Sequence, residues 1–98
     1  MLRDFFLGFI KIHILYHASK EPVYGLWLID ELGRHGYKLS PGTLYPILHK
    51  LKQEKLLKSY PENISGKIRK YYITTPKGLK ALTKIKEKIK ELTDEVIR

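Results

Sequence analysis

The chain contains no cysteine, one tryptophan, one methionine, one glutamine and one asparagine, and no apolar run that approaches a membrane span. Each shortage excludes something. Without cysteine there is no disulfide scaffold, no thiol nucleophile and no zinc-thiolate finger, and a reducing compartment suits the chain. A spanning helix needs roughly 18 consecutive apolar residues, so none is expected. The start, Met1 followed by Leu2, Arg3 and Asp4, lacks a small-residue cleavage site. The expectation is a soluble cytoplasmic protein without a membrane partner. Length is short as well: 98 residues allow one small domain, which excludes most enzyme architectures. So small a core gains from self-association.

Catalytic chemistry finds no foothold. No nucleophile motif surrounds any serine, and no polar cluster suits acid–base work. No enzyme activity and no cofactor are expected. His13 and His17 lie one helical turn apart, a spacing that can bind a metal, but no third ligand is evident nearby. They read as packing or surface histidines, and no metal is expected. Trp27, at helical spacing among leucines, reads as core.

What the chain has in excess is positive charge. Lys and Arg total 19 against 10 Asp and Glu, a formal net charge of +9. The excess is localised: residues 1–36 are neutral in sum, residues 37–90 carry +11, and the last eight carry −2. A block of that sign points to a polyanionic partner, and its surface is the candidate contact.

Periodicity divides the chain into elements. Residues 1–18 carry Leu2, Phe5, Phe6, Phe9, Ile10, Ile12, Ile14 and Leu15, an apolar surface wider than the roughly 100° stripe one small core requires. That helix has two partners. Pro22 opens a second helix, whose three-four spacing through Trp27, Leu28 and Leu32 stops at Gly33 and Gly36. Ser40 and Pro41 give the cap-plus-proline start of a third helix, in which Leu44, Ile47, Leu48 and Leu51 follow a 3.6-residue period. Its other face shows Thr43, Tyr45, His49, Lys50, Lys52 and Gln53, and Pro46 should kink or loosen its first turn. The period then changes to two over residues 57–60 and 68–74, strands flanking a turn-rich loop. Thr75 and Pro76 open a last helix that continues to the end of the chain. Its Leu82, Ile85, Ile89, Leu92 and Val96 are spaced as a coiled-coil seam.

In that order the elements describe a mainly α, α+β winged helix. A three-helix helix-turn-helix core and a two-stranded β-hairpin wing occupy residues 1–75, and a C-terminal dimerisation helix occupies residues 76–98. In such a fold the helix starting at Ser40 enters the major groove, with Ser40, Thr43, Tyr45, His49 and Lys50 facing double-stranded DNA. Lys67, Arg69 and Lys70 of the wing follow the backbone. The helix N-termini at Tyr24 and Ser40 can hold phosphates on free N–H groups. The over-wide first helix, through Phe5, Phe6 and Phe9, and the seam through Leu82, Ile85, Ile89, Leu92 and Val96 form a homodimer surface. The competing reading of the seam is that the last helix folds back on its own domain. The competing function is a winged-helix protein-interaction module or a non-specific architectural DNA binder.

Several segments carry a family resemblance: Tyr24-Gly25; Leu39 to Leu48, with its Gly42-Thr43-Leu44-Tyr45-Pro46 element; and Gly66 to Thr74, with Arg69-Lys70-Tyr71-Tyr72. Together they resemble the PadR family of transcriptional regulators over nearly the whole chain. The resemblance implies a homodimeric winged-helix repressor that binds an inverted-repeat operator and answers to a small aromatic or lipophilic effector. It places Ser40, Thr43, Tyr45 and Lys50 on the reading helix, Tyr24 at a backbone contact, and Lys67, Arg69 and Lys70 on the wing. Drug-binding members with a flat aromatic pore use a tryptophan on the C-terminal helix, and this chain has none there. The larger C-terminal helical domain of longer members is also absent.

Overall fold

In the computed structural model, which describes residues 1–97, helix α1 (Leu2–Lys20) is followed by a short strand β1 (Val23–Tyr24) and helix α2 (Gly25–Arg34). Helix α3 (Pro41–Gln53), strands β2 (Leu57–Ile64) and β3 (Lys67–Thr74), and helix α4 (Pro76–Val96) complete the chain. The expected element order is present. The last helix, expected to continue to the end of the chain, stops at Val96 with Ile97 as its C-cap; Arg98 lies outside the described residues.

Two boundaries differ from expectation. Pro22 does not open α2; the chain stays extended through Val23 and Tyr24, which pair with Tyr72 and Tyr71 of β3. The wing is therefore part of a three-stranded antiparallel sheet in the order β1-β3-β2. Strand β2 also runs past Tyr60 through Pro61 to Ile64, and Ile64 pairs with Lys67. Only Ser65 and Gly66 remain as the loop, with φ of 51° and 83°. Positive φ at both central residues is the hairpin turn whose twist matches the strands, and Asn63 Oδ1 accepts from the Gly66 N–H at 2.9 Å.

The ends of α2 and α3 share one device. After α2, the Gly36 N–H donates to the Gly33 carbonyl and the Tyr37 N–H to the Leu32 carbonyl. After α3, the Lys55 N–H donates to Lys52 and the Leu56 N–H to Leu51. Both are Schellman endings, in which a left-handed residue turns the chain and returns two N–H groups to the last helical turn. Gly36 takes that conformation at φ 89°, Lys55 at φ 62°. Helix α3 runs unbroken through Pro46.

A single core holds these parts: Ile10, Ile14, Leu15 and Ala18 of α1, Leu28 and Leu32 of α2, Leu44, Ile47, Leu48 and Leu51 of α3, with Val23, Leu57, Tyr72 and Leu82. Trp27 packs at its margin. The start of α4 is bound to the preceding turn. Thr75 Oγ1 accepts from the Gly78 N–H at 3.0 Å and donates to the Lys55 carbonyl at 2.6 Å. Gly78 lies so close to the Leu56 carbonyl and the Thr74 methyl that a Cβ would collide with both. Leu82 is therefore a core residue, 4% exposed in its own protomer. Its expected place on a dimer seam is corrected, because burial leaves no surface for a partner. Ile85 is half-buried against the same core, whereas Ile89, Leu92 and Val96 are exposed. Phe5, Phe6 and Phe9 on α1 are exposed too. No described helix is long and apolar enough to cross a membrane.

Candidate nucleic-acid interface

The packing of α2 on α3 and of β1 on β3 brings the start of α2, the exposed side of α3 and the wing together around one groove of about 350 Å³. Tyr24, Tyr45, Lys67, Arg69 and Lys70 line it. At its base the Arg69 guanidinium lies over the Tyr24 ring, 3.9 Å from the centroid, and one of its nitrogens donates to the Tyr71 hydroxyl at 3.4 Å. Tyr71 packs edge-on to Tyr24 and stacked on Tyr60. The tyrosines thus hold a cation in place, and a planar guanidinium suits both the aromatic face below and a phosphate above. The Tyr71 hydrogen bond, the largest influence, raises Arg69 above its already high ordinary value and outweighs burial. The group stays charged.

Alternation along β3 separates the wing cations. Lys67 and Arg69 project on the side of Tyr71, while Lys70 projects on the side of Ile68 and Tyr72. Two of the three cations thus lie on one face of the strand and one on the other.

On α3, Ser40, Thr43, Tyr45, His49 and Lys50 are all exposed. Ser40 is the N-cap residue, but its hydroxyl does not close the helix; it lies 3.3 Å from Thr43 Oγ1. Tyr24, N-cap of α2, makes no side-chain cap either. The first-turn N–H groups of both helices therefore have no side-chain acceptor at the cap, as an anion site requires. Tyr45 turns back over the start of α2, where its ring occupies the space that a Cβ on Gly25 would need. This contact explains the glycine in Tyr24-Gly25, because only a bare Cα lets the Tyr45 ring lie over the helix start.

A second cleft, between α1 and α3, is lined by Arg3, Lys11, Thr43 and Lys50 among others. Arg3 and Lys11 are absent from the residues selected in sequence. Their segment is neutral in sum, and only the crossing of α1 behind α3 adds their charge to the Lys50 face. His13 and His17, read as unpartnered by a third ligand, meet His35 from the end of α2.

The sequence profile of the transcriptional regulator PadR-like family matches residues 14–84, which include α2, α3, the whole wing and the start of α4. The chain belongs to the PadR-like family of transcriptional regulators. Among its relatives, transcriptional regulator Rv3488 of Mycobacterium tuberculosis is 45% identical over 96 residues, covering 98% of this chain and 90% of that protein. A PadR-like transcription factor from Bacteroides fragilis has a similar structure, with a TM-score of 0.84 at 33% identity over 96% of this chain and 92% of the other. A PadR-like transcriptional regulator from Bacillus cereus gives a TM-score of 0.83 at 37% identity, over 91% and 88% of the two chains. This PadR-like chain is therefore a DNA-binding transcriptional regulator and not an enzyme. Its winged-helix architecture is that of its structural relatives.

Proposed function

We propose that the protein is a cytoplasmic, homodimeric repressor that binds an inverted-repeat operator in double-stranded DNA. The observation that carries the reading is the groove where Arg69, fixed on Tyr24, faces Tyr45 and Lys67. Helix α3 reads base edges through Ser40, Thr43, His49 and Lys50, and Lys67, Arg69 and Lys70 neutralise phosphates on either side of the wing. Tyr45 braces the start of α2 and meets DNA by its exposed edge. The DNA-binding unit of residues 1–75 relies on the first two turns of α4, whose Gly78 and Leu82 complete its core. The remainder of α4, through Ile89, Leu92 and Val96, joins Phe5, Phe6 and Phe9 in the dimer contact, with half-buried Ile85 at its margin. A small aromatic or lipophilic effector fits the apolar cleft of about 500 Å³ bounded by Phe9, Ile12, His13, Tyr37, Ile89 and Leu92, which borders the proposed dimer contact, so that effector and partner subunit share Phe9, Ile89 and Leu92.

Selection of bound duplexes from a random pool tests this reading. The expected product is a palindrome whose half-sites lie about ten base pairs apart, or a multiple. Enrichment of no sequence would instead identify an architectural DNA binder, and failure to retain duplex at low salt would overturn the DNA interface.

A further inference from the structure

Three of the four histidines converge at the junction of α1 and α2, apart from the DNA-facing groove. His13 and His17 lie one turn apart on α1, and His35, the C-cap of α2, meets them from the other side. Their ligand nitrogens lie within 4.8 Å of one another. The His13 and His35 rings are stacked with centroids 4.5 Å apart. Glu31, one turn before His35, flanks the cluster: its Oε2 accepts from His35 Nε2 at 3.1 Å and lies 3.5 Å from His17 Nε2. Arg34 holds the other carboxylate oxygen at 3.2 Å, which leaves Oε2 to the imidazoles.

A tetrahedral ion with bonds of roughly 2.0–2.1 Å sets its ligand atoms about 3.3 Å apart. The histidine nitrogen separations, at most 4.8 Å, close to that by ring rotation, since His35 is exposed and His13 and His17 are half-buried. We infer that His13, His17 and His35 bind one divalent transition-metal ion of the zinc class, with Glu31 as the carboxylate beside them that orients His35. Three imidazoles suit a borderline-soft cation and disfavour magnesium or calcium, which take oxygen ligands. The bound ion ties α1 to the end of α2.

Zinc chloride titrated into the full chain, followed by calorimetry and by fluorescence of Trp27, tests the site. Trp27 is the chain's single tryptophan, and its ring is 5.3 Å from that of His17. The expected result is saturable uptake of about one ion per chain with a rise in melting temperature, and no response to magnesium. His35→Ala, on the exposed helix end, and Glu31→Gln, on α2, should each weaken zinc about tenfold or more, with circular dichroism reporting the fold of each. His13→Ala provides the same test from α1. Absence of saturable uptake by the unaltered chain overturns the site, as does zinc affinity undiminished from that of the unaltered chain in folded His35→Ala and His13→Ala.

Discussion

Arg69 and Lys50 illustrate how two cations of one basic block differ in what they can recognise. Arg69 is held by Tyr24 and Tyr71, a fixed charge at the wing that any duplex can meet. Lys50 is exposed on α3 in a cleft it shares with Arg3 and Lys11, and in the proposed complex it combines phosphate attraction with base contact. Arg69→Ala should therefore weaken all duplexes about equally and reduce the salt slope by about one. Lys50→Ala should weaken the selected operator by about 1 kcal/mol or more and narrow its margin over random DNA. Binding isotherms over a salt series for operator and random duplex measure both; equal losses on both duplexes for Lys50→Ala, or a loss confined to one duplex for Arg69→Ala, would remove the assigned role. The pattern of residue types was legible in sequence. The difference between the two cations was not, because it depends on a β1–β3 pairing that brings Tyr24 beside Tyr71 across 46 intervening positions.

The helices were the most legible elements, since a 3.6-residue period and a cap-plus-proline start are local signals. Thr75 fulfils its signal with a side-chain cap; Ser40 begins its helix without one. Helix ends were less legible. The ending of α2 is announced by Gly36, but that of α3 rests on Lys55, a residue with no preference for φ 62°. It is held there by the returned N–H groups of the ending and by the hydrogen bond from Thr75 to its carbonyl. A left-handed backbone costs a residue with a Cβ roughly 1 kcal/mol, a cost glycine lacks. Lys55→Gly should accordingly raise stability by up to about 1 kcal/mol, read as a higher urea midpoint at unchanged slope. A lower midpoint would mean that the lysine stem contributes more than the backbone costs. Strand β1 was invisible in sequence for a related reason: two residues carry no period, and they are strand only because β3 lies beside them.

The whole molecule is drawn out, with extents of 52 × 28 × 20 Å and a radius of gyration of 14.3 Å against about 13 Å for a compact chain of this length. Helix α4 accounts for much of this: its 21 residues span about 30 Å, and only the first turns reach the core. Beyond Ile85, the exposed Ile89, Leu92 and Val96 and the exposed Phe5, Phe6 and Phe9 of α1 present apolar surface to water, more than a monomer of this size has reason to keep. Replacing Ile89 and Leu92 together by lysine should give monomers in sedimentation at concentrations where the parent chain is dimeric. The fold should survive, since the two residues are 44% and 61% exposed in the protomer. A parent chain that sediments as a monomer, or a variant that remains a dimer, would refute the seam.

The sequence by itself determined the four helices and the two wing strands, their order and the location of the charge, because periodicity, caps and charge counts are properties of neighbouring residues. It also carried the family, in Gly42 to Pro46 and Arg69 to Tyr72. Tertiary structure alone decided that Leu82 belongs to the core and not to a seam, that Arg69 rests on Tyr24, that Arg3 and Lys11 join the Lys50 face, and that His35 meets His13 and His17. Each of these depends on which faces of distant elements pack together. That choice is made by the burial of the whole apolar set at once, and no local window of sequence contains it.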